Sequence, residues 1–125
     1  MRLKPNTLIV VAGPTASGKT ALAIQIAKAV DGEIVSADSM QIYRGVDIAT
    51  AKPTPEELAA VPHHLIGFLP MDRAFSVADY AELARKEIND ILSRGKVPVL
   101  CGGTGLYIKA IVDNVQSVSY PHLRA

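Results

Sequence analysis

Chemistry enters this chain at Gly13-Pro14-Thr15-Ala16-Ser17-Gly18-Lys19-Thr20. The spacing is G-x-x-x-x-G-K-[ST], the pattern of a phosphate-cradling P-loop. Gly13 and Gly18 let the backbone fold back so that its N–H groups converge on one cluster of phosphate oxygens. A helix starting at this point would add its free N–H groups and the positive end of its dipole. Lys19 brings a mobile positive charge and Thr20 a hydroxyl for Mg²⁺. Residues 13–20 are therefore the expected diphosphate- or nucleotide-binding set.

Asp38 is the second candidate. It stands just beyond an expected strand, Glu33 to Ser36, and parallel sheets bind ligands beyond the carboxyl ends of their strands. A carboxylate there suits holding Mg²⁺ or taking a proton from a substrate amine or hydroxyl. It equally suits a helix N-cap or Asx-turn, and the pattern alone leaves the readings level. A third candidate is Gly102-Gly103-Thr104-Gly105, a backbone-amide turn after the apolar run Val97 to Cys101. Thr104 could hydrogen-bond a phosphate, sugar or base there, or the segment is a plain strand-to-helix turn. The run carries no carboxylate at its end, where hydrolytic P-loop motors place one to hold Mg²⁺ or orient water. The pattern thus favours a transferase over a motor or a GTPase switch. His63-His64 lack a third ligand at a metal spacing and read as a polar strand entrance. Arg44, Lys52 and Arg73 are either a local basic rim or scattered surface cations.

These residues need elements to hold them. Leu8 to Ala12 is an unbroken apolar run, expected of a strand buried on both faces of a parallel sheet. Ala21 to Val30 is rich in helix formers, and Asp31-Gly32 closes it with Gly32 as the expected left-handed cap. Strand, loop, helix and a strand over Glu33–Ser36 make a right-handed βαβ unit. Met40 to Lys52 has no period and reads as an ordered loop with a turn at Arg44-Gly45. Thr54-Pro55-Glu56-Glu57 is a capping box with proline at the first helical position, and Pro62 stops that helix. His63 to Ile66 is a brief strand. Ser76 opens a longer helix on the same logic, Asp79 standing where Glu or Gln is usual. Its apolar residues Val77, Tyr80, Ala81, Ala84, Ile88, Ile91 and Leu92 share one face, and Gly95 ends it. Val97 to Cys101 is a buried strand with Pro98 near its start, followed by a helix from Leu106 to Val112.

Length and composition set the outer bounds. The 125 residues suit one domain, 49% hydrophobic and 20% charged, as in ordinary soluble proteins. A net charge of +1 exerts no global pull on nucleic acid, so such binding must rest on a local patch. Cys101 is alone, which rules out an internal disulfide and fits a reducing cytosol. Met1 reads as a native start, with no signal or membrane segment behind it. Residues 117–125 show neither helical nor strand period. Three or four strands are legible where a P-loop domain uses about five. The expectation is an α/β P-loop sheet with helices on both faces over residues 1–116, cut short, and an irregular tail over 117–125, foreign or frayed.

Several segments together resemble the tRNA dimethylallyltransferase (tRNA isopentenyltransferase, IPP transferase) family. They are residues 13–20, Ser36-Ala37-Asp38-Ser39-Met40-Gln41-Ile42-Tyr43-Arg44-Gly45, Thr50-Ala51-Lys52-Pro53, Pro62-His63-His64-Leu65-Ile66, Phe75-Ser76-Val77-Ala78-Asp79-Tyr80 and Gly102-Gly103-Thr104-Gly105-Leu106-Tyr107. They fall in the family's order and cover the chain to about Val112. P-loops are widespread, whereas Asp-Ser-x-Gln-x-Tyr with Gly-Gly-Thr-Gly-x-Tyr is specific. The resemblance implies transfer of a dimethylallyl group from dimethylallyl diphosphate to N6 of the adenosine 3′ to the anticodon, position 37, of tRNA. The P-loop would then hold the leaving diphosphate with Mg²⁺, and amides, Lys19 and the ion would stabilise the departing charge. Carried over residue by residue, Asp38 takes the proton of the attacking amine, with Lys19 and Thr20 completing the catalytic set. Thr20 is the Mg²⁺ ligand, and Asp38, Ser39, Met40, Gln41 and Thr104 face the tRNA. The resemblance further implies a cytoplasmic protein that grips the anticodon arm and is monomeric at full length. Ala49 and Gly67 depart from the family pattern, away from the chemistry. The family's anticodon-gripping insertion, a later diphosphate-site Arg and its C-terminal helices have no counterpart before Ala125, so the fragment alone is expected to be incompetent. Two other classes remain: a P-loop small-molecule or nucleoside kinase using ATP with Asp38 as base, and a non-enzymatic nucleotide-binding module.

Overall fold

A computed structural model describes residues 7–13, 18–39, 42–43, 54–70, 72–113 and 122–124. Five parallel strands form one sheet in the order β3-β2-β4-β1-β5. They are β1 (Ile9–Ala12), β2 (Gly32–Ser36), β3 (His63–His64), β4 (Val97–Gly102) and β5 (His122–Arg124), interleaved with α1 (Lys19–Val30), α2 (Pro55–Ala60), α3 (Val77–Ser93) and α4 (Gly105–Asp113). The apolar runs are continuous because both faces of the sheet are covered. Leu8, Val10, Val35 and Leu100 meet Tyr80, Ala84, Ile88 and Ile91 of α3 and Tyr107 and Ile111 of α4. Ile9, Val11, Ile34, Val99 and Cys101 meet Ala23, Ile24, Ala27 and Val30 of α1 on the other face. Alternation along each strand divides one apolar run between two cores.

Both capping boxes form. Thr54 Oγ1 accepts from the Glu57 N–H at 3.1 Å, and Glu57 Oε1 accepts from the Thr54 N–H at 2.9 Å. Ser76 and Asp79 make the same reciprocal pair at 3.1 and 3.0 Å, so the shorter Asp side chain reaches well enough. Pro98 is the second residue of β4, whose pairing with β1 begins only at Val99, so that ladder is spared.

Three expectations need correction. The residue in the left-handed conformation after α1 is Asp31 (φ 56°), not Gly32. Gly32 is needed because a Cβ there would lie 2.4 Å from the Val97 carbonyl oxygen. The strand expected over His63–Ile66 stops after His64, since Leu65 turns to φ 66°, outside strand geometry. In the stretch read as an irregular tail, residues 122–124 form β5, aligned Val10 with His122, Val11 with Leu123 and Ala12 with Arg124. Three residues are too few to show a period, and the open edge of β1 supplies the ladder that local sequence cannot announce. The sheet therefore has five strands rather than three or four. Of the loop expected over Met40–Lys52, only Ile42 and Tyr43 are described. Ile42 is buried, its carbonyl accepts from Phe68 and Leu69 at 3.0 Å each, and Tyr43 bridges Leu69. The turn at Arg44-Gly45, and Arg44 and Lys52 themselves, lie outside the described residues; Arg73 is exposed.

Candidate active site

The carboxyl ends of β1, β2 and β4 lie side by side, and each delivers one candidate segment. From β1, Gly13 donates its N–H to the Gly102 carbonyl at 3.4 Å, joining the first P-loop residue to the end of β4. Pro14, Thr15, Ala16 and Ser17 lie outside the described residues. Gly18 resumes at φ 80°, a left-handed conformation that glycine adopts without strain, and serves as N-cap of α1. It has no side chain with which to cap the helix, and the N-terminus of a helix is a favourable place for an anion. Helix α1 starts at Lys19, two residues before the expected run. Lys19 is buried at 3% exposure, and Thr20 is half-buried.

From β4 comes the glycine turn, and it is more than a connector. A Cβ on Gly103 would sit 2.9 Å from the Gly13 carbonyl oxygen and 3.9 Å from Lys19 Nζ. The Lys19 ammonium thus lies against this turn. A Cβ on Gly102 would sit 2.3 Å from the backbone of Ala37, so strands β2 and β4 close up here only because residue 102 has no side chain.

From β2 comes Asp38, 8% exposed. The backbone around it is held on every side. The Ser36 carbonyl accepts from the Tyr80 hydroxyl at 2.7 Å. Ala37 donates to the Cys101 carbonyl at 2.8 Å and accepts from the Thr104 N–H at 3.2 Å. Ser39 donates its N–H to Thr104 Oγ1 at 2.8 Å, and Thr104 Oγ1 donates to Ser39 Oγ at 3.2 Å. Tyr80 is fully buried and stacks on Tyr107 with centroids 4.0 Å apart and planes 11° from parallel. Burial, with Tyr107 beside it, pushes the Tyr80 phenol far above its usual range, so it stays a donor to Ser36 at any working pH. Burial also pushes the Cys101 thiol up to about 11; the Lys19 charge opposes the rise and the Asp38 charge adds to it. Both charges are felt at Cys101, the residue between them on β4.

The structure thus brings Gly13, Gly18, Lys19, Thr20, Asp38, Ser39 and Thr104 to one sheet edge. Met40 and Gln41 lie outside the described residues. His63-His64 stand elsewhere: His64 Nε2 lies 2.7 Å from Glu33 and its Nδ1 lies 3.0 Å from Glu87, while His63 Nδ1 contacts the Val61 carbonyl at 2.8 Å. Among the described residues no group of three or more His, Cys, Asp or Glu could hold a metal. That does not weigh against Mg²⁺, which keeps several waters and takes one or two protein oxygens plus substrate phosphates. A buried carboxylate and the Thr20 hydroxyl at one edge fit such an ion. Sequence reasoning missed Tyr80, Tyr107 and the bracing role of Gly102 and Gly103. The adjacent glycines at a strand end were the one available signal, since paired glycines there mark close backbone approach.

The chain is similar to proteins whose names agree. A tRNA dimethylallyltransferase of Salinispora tropica is 53% identical over 114 residues, covering 91% of this chain and 36% of the relative. The full-length tRNA isopentenylpyrophosphate transferase of Bacillus halodurans superposes with a TM-score of 0.84 at 47% identity, covering 91% of this chain and 38% of that one. A eukaryotic dimethylallyltransferase, solved acting on tRNA, superposes at 0.80 with 35% identity, over 83% of this chain and 26% of that one. The chain spans between about a quarter and little more than a third of the length of these proteins. The family model for IPP transferase matches residues 41–125, a span that takes in α2, α3, the glycine turn and β5. By that match, and on a sheet edge that joins a P-loop to an anchored aspartate, the chain belongs to the IPP transferase family.

Proposed function

We propose that this chain is the diphosphate-binding and proton-accepting part of a tRNA dimethylallyltransferase. The reaction breaks the C1–O bond of dimethylallyl diphosphate and forms a bond from that carbon to N6 of adenosine 37, beside the anticodon. Diphosphate leaves, and the amine proton passes to Asp38. The product is N6-(dimethylallyl)adenosine. The observation that carries this reading is the meeting of Lys19, at the start of α1, with the Asp38 turn across Gly102-Gly103.

Each residue has a task. Lys19 and the N–H groups at residues 13–20 receive the charge that develops on the departing diphosphate. Thr20 has the oxygen chemistry to hold Mg²⁺, which when bound would supply further charge neutralisation at the leaving group. Asp38 accepts the proton, its position fixed by the backbone on both sides. Ser39, Met40, Gln41 and Thr104 form the face toward the anticodon arm, where Gln41 has the bidentate amide that suits an adenine edge. No helix among the described residues is long and apolar enough to cross a membrane, and a tRNA substrate places the protein in the cytoplasm. A monomer suffices, since the proposed groups come from one chain. The relatives' names weigh against the kinase reading.

The test is transfer from radiolabelled dimethylallyl diphosphate to an anticodon stem-loop RNA by the full-length protein of which this chain is proposed to be part. Label retained in RNA and lost when adenosine 37 is replaced by guanosine is expected. Phosphoryl transfer from ATP to a small acceptor, with no label in RNA, would overturn the reading.

A further inference from the structure

Thr104 holds both neighbours of Asp38. Its N–H donates to the Ala37 carbonyl at 3.2 Å, and its hydroxyl oxygen accepts from the Ser39 N–H at 2.8 Å. The same hydroxyl gives its proton to Ser39 Oγ at 3.2 Å. A threonine hydroxyl has one proton and two lone pairs, so its only proton and one lone pair are already spent within the turn. The residue is partly buried, and its contacts with Ser39 span 65 positions of sequence. They tie the end of β4 to the residues on each side of the proposed base. Gly102 makes the approach possible, since any side chain there would strike Ala37.

We infer that Thr104 is a positioning residue: besides lying on the face toward the anticodon arm, it sets the turn that carries Asp38 by gripping Ala37 and Ser39. The inference rests on the proposed transfer reaction for its consequence, though not for its geometry. A misplacement of about 1 Å at a reacting group costs on the order of a hundredfold in rate. Thr104→Val keeps the shape and the backbone bond to Ala37 and removes only the hydroxyl bonds to Ser39. Thr104→Ser keeps both.

Two readouts test it, each on full-length wild type, Thr104→Val and Thr104→Ser. The first is amide hydrogen exchange at Ser39, beside a thermal melt to show that all three fold. The Ser39 amide should exchange about tenfold faster or more in Thr104→Val, and serine should restore protection. The second is steady-state transfer: Thr104→Val should lower kcat about tenfold to a hundredfold with the KM for dimethylallyl diphosphate unchanged, and serine should rescue it. Unaltered Ser39 protection in Thr104→Val would overturn the inference. So would a raised KM for RNA with kcat intact, which would make Thr104 an RNA contact without a positioning role. Absence of transfer in the wild type would count against the proposed reaction instead, and Ser39 exchange would then decide the clamp alone.

Discussion

Strand β2 has a buried carboxylate near each end, and the two are secured in opposite ways. Glu33, its second residue, is 5% exposed, and Asp38, two residues beyond its last, is 8% exposed. Glu33 is tied by its own side chain. Arg94 of the α3 C-cap forks onto both its oxygens, at 2.5 and 2.9 Å, and His64 reaches it at 2.7 Å. The Arg94 hydrogen bonds lead in holding its carboxyl at about 2; burial opposes them and His64 assists. Around Asp38 the bonds described above fall on the backbone of Ser36, Ala37 and Ser39. A carboxylate gripped by a guanidinium is committed to the fold, whereas the turn that carries Asp38 is set through its backbone. The amino end of the sheet carries this ion pair and the carboxyl end the candidate site, the end at which a parallel α/β sheet is expected to bind ligands.

That contrast can be broken by paired substitutions. The larger effect belongs to Asp38→Asn, which keeps size and hydrogen bonding but removes the base. Transfer kcat should fall about 10²–10⁴-fold while KM and the melting temperature change little. A rise confined to KM would make Asp38 a metal or RNA ligand and send the proton elsewhere. The smaller effect belongs to Glu33→Gln, which should leave kcat intact and lower Tm by roughly 5–10 °C, allowing for the partial exposure of Arg94. The sign of its pH dependence follows from the depressed pKa. The folded state binds fewer protons than the unfolded one, so the Glu33 contribution is complete above its ordinary value of 4.5 and is lost as pH falls toward about 2. Melts of wild type and Glu33→Gln should therefore converge through that window and stay apart above it. A gap that persisted to the acid end would mean that packing, not charge, is what Glu33 supplies.

Local chemistry was legible in the sequence, and long-range pairing was not. The P-loop spacing, the apolar runs of β1 and β4, the buried face of α3 and both capping boxes depend on residues within a few positions of one another. Asp38 was placed by a topological rule, the strand end, and the structure adds what fixes it there. Tyr80 meets Ser36 across 44 positions and Thr104 meets Ser39 across 65, distances at which neither hydroxyl leaves a periodic trace. Gly32 was misread for the same reason: its need is a neighbouring strand 2.4 Å from an absent Cβ, not its own dihedral angle. Strand β5 is too short for a pattern and exists by pairing with β1.

What the P-loop edge binds separates dimethylallyl transfer from phosphoryl transfer. Calorimetric titration of this chain in the presence of Mg²⁺, with dimethylallyl diphosphate in one series and ATP in the other, measures that without requiring turnover. The account predicts binding of the isoprenoid diphosphate at least about tenfold tighter than ATP, a gap of about 1.4 kcal/mol. Tighter binding of ATP, accompanied by phosphoryl transfer to a small acceptor, would contradict it and make the anchored Asp38 the base of a kinase.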